Sequence, residues 1–116
     1  MDFINEAHKR FYASHSDITA RGEDFKAIVY TLGVNRECRD HFAALYNEQT
    51  RCIVPSGLHA GWQTGASLRI TRLAFNLFTH SVLEEENAED YTPKAILSGL
   101  DADNREGALL ALMYFT

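Results

Sequence analysis

Apolar residues recur along this chain at intervals of three and four, and they almost never alternate one by one. That spacing lays a stripe down one side of an α-helix, so the pattern predicts a mainly helical protein. Ile4, Ala7, Phe11 and Tyr12 make the first stripe, with Asn5 as its cap and an end near His15. Phe25, Ile28, Val29 and Leu32 make the second, stopped by Gly33. Asn35 then caps a third helix whose buried face holds Cys38, His41, Phe42, Leu45 and Tyr46. Arg51-Cys52-Ile53-Val54 reads as one short strand, closed by Pro55, Ser56 and Gly57. A fourth helix follows from Leu68 to His80, with Ile70, Leu73, Ala74, Leu77 and Phe78 as its core stripe.

Beyond it, Glu84 to Asp90 is a charge run of the kind that forms a solvated, mobile connector. Thr92-Pro93 is a helix start, a capping hydroxyl followed by proline at the first helical position, and this short helix should end near Gly99. Asp103 with Glu106 resembles a capping box opening the last helix, which runs into Ala108-Leu109-Leu110-Ala111-Leu112-Met113-Tyr114-Phe115. A terminus apolar nearly all round has to be covered, so it is expected as the central helix of the core, or else as part of a subunit interface. The predicted fold is mainly α, a single compact domain over residues 1–116. It has about six helices and at most one short strand near 51–54.

Composition narrows the class. With 46% apolar and 11% aromatic residues the chain can build a core without metal or disulfide support. A formal charge of −5 argues against direct nucleic-acid binding, which rests on many Lys and Arg contacts to phosphate. Cys38 and Cys52 lie in different segments with no zinc-type or redox spacing, which points to a reducing compartment. No basic leader and no apolar run of membrane length is present, so a cytoplasmic protein with no membrane partner is expected.

One stretch departs from the acidic background. From Gln49 to Leu83 there is no Asp or Glu, yet Arg51, Arg69 and Arg72 fall inside it. Its middle, Gly57 to Ser67, is a loop of small and polar residues leading into the fourth helix. A helix start offers free N–H groups, so Thr64, Gly65 and Ser67 with arginines one turn inside form a candidate anion site. Arg69, Arg72, Asn76 and His80 are spaced to share one helix face. The two arginines also oppose the helix dipole, which favours Asp or Glu in the opening turns. Two readings stand side by side: Arg69 and Arg72 hold a phosphate or carboxylate bidentately, or they pair with internal carboxylates such as Asp40, Glu48 or the acidic connector. Trp62 either stacks on a base at the rim or plugs the loop onto the core. Gln63, Thr64 and Asn76 suit the reading of polar edges; the plainer alternative is that Thr64 or Ser67 is only the helix cap.

Catalytic and metal chemistry find little support. Cys38 and His41 share a face at a spacing that can ligate metal, but no second pair accompanies them. Neither Cys52 nor Ser67, each imaginable with His59, sits in a nucleophile motif, and no phosphate loop or dinucleotide fingerprint occurs. A non-enzymatic protein without a cofactor is expected.

Tyr30-Thr31-Leu32-Gly33, the run Gly57 to Gly65 with its Gly-Trp-Gln-Thr-Gly, and Thr71-Arg72-Leu73-Ala74-Phe75-Asn76-Leu77-Phe78 together resemble a family of short proteins of unknown function. Its members are encoded by phages, prophages and other mobile elements of Gram-positive bacteria. Phe3 to His8 looks similar too, and the resemblance extends to about Thr92. What it implies is a setting, an accessory protein of a mobile element, where such genes often counter host defence. The expected function is sequestration of a small anionic, nucleotide-derived host immune signal, with Arg69 and Arg72 on phosphate and Trp62 on the base. The alternative is an inhibitor that docks on a host nuclease or immune effector through Glu84 to Asp90 and exposed aromatics. The apolar C-terminal helix makes a homodimer reasonable.

Overall fold

A short polar side chain heads most of the helices, where the first N–H groups need a partner. The computed structural model describes residues 1–15 and 17–116, with the backbone alone of Thr19. The helices among them are α1 (Glu6–Ala13), α2 (Glu23–Leu32), α3 (Arg36–Asp40), α4 (Phe42–Leu45), α5 (Gly65–Thr79), α6 (Pro93–Leu97) and α7 (Ala102–Phe115). Asn5 accepts from His8 N at 2.9 Å, Asn35 from Cys38 N at 3.1 Å, and Thr92 from Ala95 N at 3.1 Å. These caps stand where the sequence placed them. The last does not: Asp101, rather than Asp103, caps α7 by accepting from Asn104 N at 2.9 Å.

The third predicted helix is broken at His41, whose backbone leaves the helical region (φ −119°, ψ 29°) and separates α3 from α4. Its ring turns back to donate from Nδ1 to Glu37 O at 2.9 Å and lies flat against Trp62. The end of that helix is also recruited elsewhere. Tyr46–Asn47 forms strand β1 and pairs antiparallel with β2, Cys52–Ile53, setting Tyr46 opposite Ile53. Asn47 Oδ1 accepts from Gln49 N and Thr50 N to close the hairpin. The expected short strand is therefore one arm of a hairpin whose strands are two residues each.

The core is built around α2, which is buried at every position from Ala27 to Leu32. It packs chiefly on α5, with α7 across the pair and α1 also against it. The apolar C-terminal helix is thus a layer on the core and not its centre. It turns its small residues inward, Asn104, Gly107, Ala108 and Ala111 being buried. Gly107 is required for this approach, because a Cβ there would stand 2.4 Å from Val34 Cγ1. Asn35 Nδ2 donates to Asn104 Oδ1 at 3.1 Å, which ties the cap of α3 to the first turn of α7 inside the protein. The acidic run is tied to the fold at two points. It contains a single 3-10 turn, Ala88–Tyr91, and Glu86 reaches inward to α5.

Candidate functional site

The residues proposed for the anion site, from Trp62 to Asn76, have internal contacts. Thr64 caps α5 by accepting from Ser67 N at 3.1 Å, and Ser67 Oγ accepts from Thr64 N at 2.7 Å, a closed capping box. Ser67 also donates to Gln63 Oε1 at 2.6 Å. Gln63 Nε2 in turn donates to Gly57 O at 3.0 Å and Thr71 Oγ1 at 3.2 Å. Gln63, Ser67 and Thr71 thus form a satisfied network between loop and helix. Cys38 Sγ lies 3.4 Å from Thr71 Oγ1 at its inner end. Burial pushes the Cys38 thiol up to about 12, which keeps it neutral and unreactive.

The two arginines diverge instead of converging on one anion. Arg69 donates from Nε to Ala95 O at 3.3 Å and from Nη1 to Gly65 O at 3.2 Å, stapling α6 to the start of α5. Arg72 meets Glu86 Oε1 at 3.3 Å and Asp90 Oδ2 at 3.9 Å. Its counter-charge is the acidic connector, one of the internal sources the sequence allowed. The side chains of Arg72 and Glu86 are only 22% and 12% exposed, so the pair is a partly buried latch. Tyr91 donates to Glu86 at 2.9 Å, and burial beside that carboxylate raises its phenol above the usual range. Asn76 belongs to the helix terminus: its Nδ2 donates to Ser81 O at 2.9 Å. His80 takes the left-handed conformation that ends α5 (φ 62°) and meets Asp24 at 2.7 Å.

Trp62 stacks on His41 with ring centroids 4.2 Å apart and planes 4° from parallel. One face of the half-buried indole is thus filled by a side chain of this protein. Among the described residues no Phe, Tyr or Trp is fully exposed, while Phe3, Tyr12, Trp62 and Tyr91 are among those half-buried at the surface.

A different place is open. The 3-10 turn Pro55–His59 faces the residues after α5 across a cleft of about 500 Å³. Pro55, Ser56, Leu58 and His59 form one wall, and Leu83, Glu84, Glu85 and Glu86 the other. Leu58 is buried and Leu83 half-buried, which gives the cleft an apolar floor. His59, Glu84 and Glu85 are exposed, and none has an ion-pair partner among the described residues. Reading by helical face could not find this cleft, since its walls lie far apart in the chain. The boundary of the acid-free stretch at Leu83 was the available signal: one wall belongs to that stretch and the other begins the acidic run.

Fold and site together define a mainly α single-domain protein with an apolar-floored, acid-rimmed cleft beside a partly buried ion-pair latch. Among the described residues no three His, Cys, Asp or Glu side chains come together as metal ligands, and no helix is long and apolar enough to cross a membrane. Residues 1–109 match a family of unknown function (DUF6075), and the chain belongs to that family. No curated protein and no solved structure matches it.

Proposed function

We propose that this is a non-enzymatic binding protein that docks a basic segment of another protein in the cleft between Pro55–His59 and Leu83–Glu86. The observation that carries this reading is the unpaired state of Glu84 and Glu85 above an apolar floor of Leu58 and Leu83. An Arg or Lys side chain suits such a place: its methylenes cover the floor while its cation meets the rim. Nucleases present such cations, because they hold phosphate with Lys and Arg. The resemblance to proteins of phages and other mobile elements supports a host nuclease or immune effector as the partner. Sequestration of a nucleotide-like anion has less behind it, since Arg72 would have to give up Glu86 and Asp90, and Trp62 would have to leave His41.

The test is a titration of a labelled Arg- and Lys-rich peptide followed by fluorescence anisotropy. Wild-type protein binds with an affinity that falls as salt rises, and Glu84→Gln combined with Glu85→Gln weakens binding at least about tenfold. Unchanged affinity in the double variant overturns the site. A parallel calorimetric panel of nucleotides separates the two readings, because binding that disappears in Arg72→Ala returns the anion site to first place.

A further inference from the structure

The outer side of α7 carries Ala102, Arg105, Glu106, Leu109 and Met113, and with Leu110 they line a shallow groove of about 400 Å³. At 1.5 Å per residue this stripe is about 16 Å long, enough for a helix to lie along. Leu109 is 49% exposed and Met113 63%, and both belong to a helix that already turns its small residues to the core. Leu109, Leu110 and Met113 adjoin one another along the groove, so they form a contiguous apolar strip of the kind that contact surfaces use rather than scattered single residues. The groove is neutral overall, with one cation beside one anion. Arg105 holds only Leu100 O, at 3.1 Å, and neither Arg105 nor Glu106 has an ion-pair partner among the described residues.

We infer that this face of α7 is a two-fold interface with a second copy of the same chain. The face is complementary to itself. An antiparallel copy that sets Leu109 against the small Ala102 also sets Arg105 against Glu106, because both pairs are centred between positions 105 and 106. The symmetry repeats each contact, so two ion pairs and two large-on-small contacts form at once, as an isologous interface requires. A strongly acidic partner would meet Glu106 and a strongly basic one Arg105, so a heterologous partner of either kind fits less well. Met113 then covers the turn that precedes the helix of the second copy.

Sedimentation velocity over a wide concentration range tests this. Wild-type protein should pass reversibly from the mass of one chain to that of two. Leu109→Glu and Met113→Lys, both at exposed positions and checked for native helix content by circular dichroism, should each raise the dimer dissociation constant at least about tenfold. Arg105→Glu and Glu106→Arg should each weaken the dimer, and the two together should restore it, since the exchange preserves the pairing. A monomer at every concentration overturns the interface. Open-ended growth beyond two chains overturns the two-fold in favour of a head-to-tail contact, and a dimer indifferent to all four single variants overturns the assignment to α7.

Discussion

His8 shows how one side chain can couple this fold to pH. It is fully buried against the rings of Phe3 and Tyr30, with Nε2 donating to Tyr30 O at 2.8 Å and Nδ1 accepting from Ile4 N at 3.3 Å. Both nitrogens are committed to the neutral ring. Burial lowers its pKa from 6.5 to about 4. The unfolded chain therefore binds a proton below 6.5 that the folded protein refuses until about 4. Stability from this residue is fully present above 6.5, drains away as pH falls toward 4, and amounts to about 3 kcal/mol across that window. Urea unfolding at a series of pH values should show the loss, and His8→Phe should flatten it. Arg72 makes a second prediction at this scale. Arg72→Ala leaves Glu86 mostly buried with Tyr91 alone, and should cost about 1–2 kcal/mol in the same unfolding assay. Combining it with Glu86→Gln should recover part of that loss, as a double-mutant cycle would report.

At the scale of elements, close packing of α7 decides what its sequence can tolerate. Gly107→Ala gains about 1 kcal/mol of helix propensity but drives a methyl into Val34, and overpacking of this kind costs about 1–3 kcal/mol, so the net change should be destabilising. Val34→Ala in the same chain should relieve the clash. Gly61→Ala is the control: nothing lies within 4 Å of its Cβ, and its unfolding midpoint should stay near the wild-type value. Helix starts were legible in the sequence at Asn5, Asn35 and Thr92, and Thr64 was one of two caps it offered, whereas at Asp101 the same chemistry was assigned to Asp103. Helix ends and breaks were less so. His41 interrupts its helix because its ring has a partner in Trp62, a residue distant in the chain, and no local spacing reveals that. The last helix read as the centre of the core because its apolar residues go all the way round, yet Gly107, Ala108 and Ala111 face inward and Leu109 and Met113 do not. Size complementarity to α2 and Val34 chose the inner face.

At the scale of the whole molecule, the charge of −5 is spread unevenly, and the cleft at Glu84 and Glu85 lies at one of its concentrations. Binding at that cleft should therefore be strongly salt-dependent, whereas α7 self-association, with a half-apolar face, should weaken far less as salt rises; parallel anisotropy and sedimentation runs at low and high salt would compare them. What the sequence determined by itself was local: the mainly helical class, most helix starts, the acid-free stretch and the acidic run that follows it. These depend on periodicity, capping chemistry and composition, which act over a few residues. Only the tertiary structure decided how those pieces answer one another. It spent the arginines of α5 on Glu86, Asp90 and two backbone carbonyls, laid Trp62 on His41, and, among the described residues, left Glu84, Glu85, Arg105 and Glu106 without ion-pair partners and Leu109 and Met113 exposed. The physical reason is that a charge or a flat ring is satisfied by whatever the fold brings within a few ångströms, and that neighbour is set by packing between elements remote in the chain.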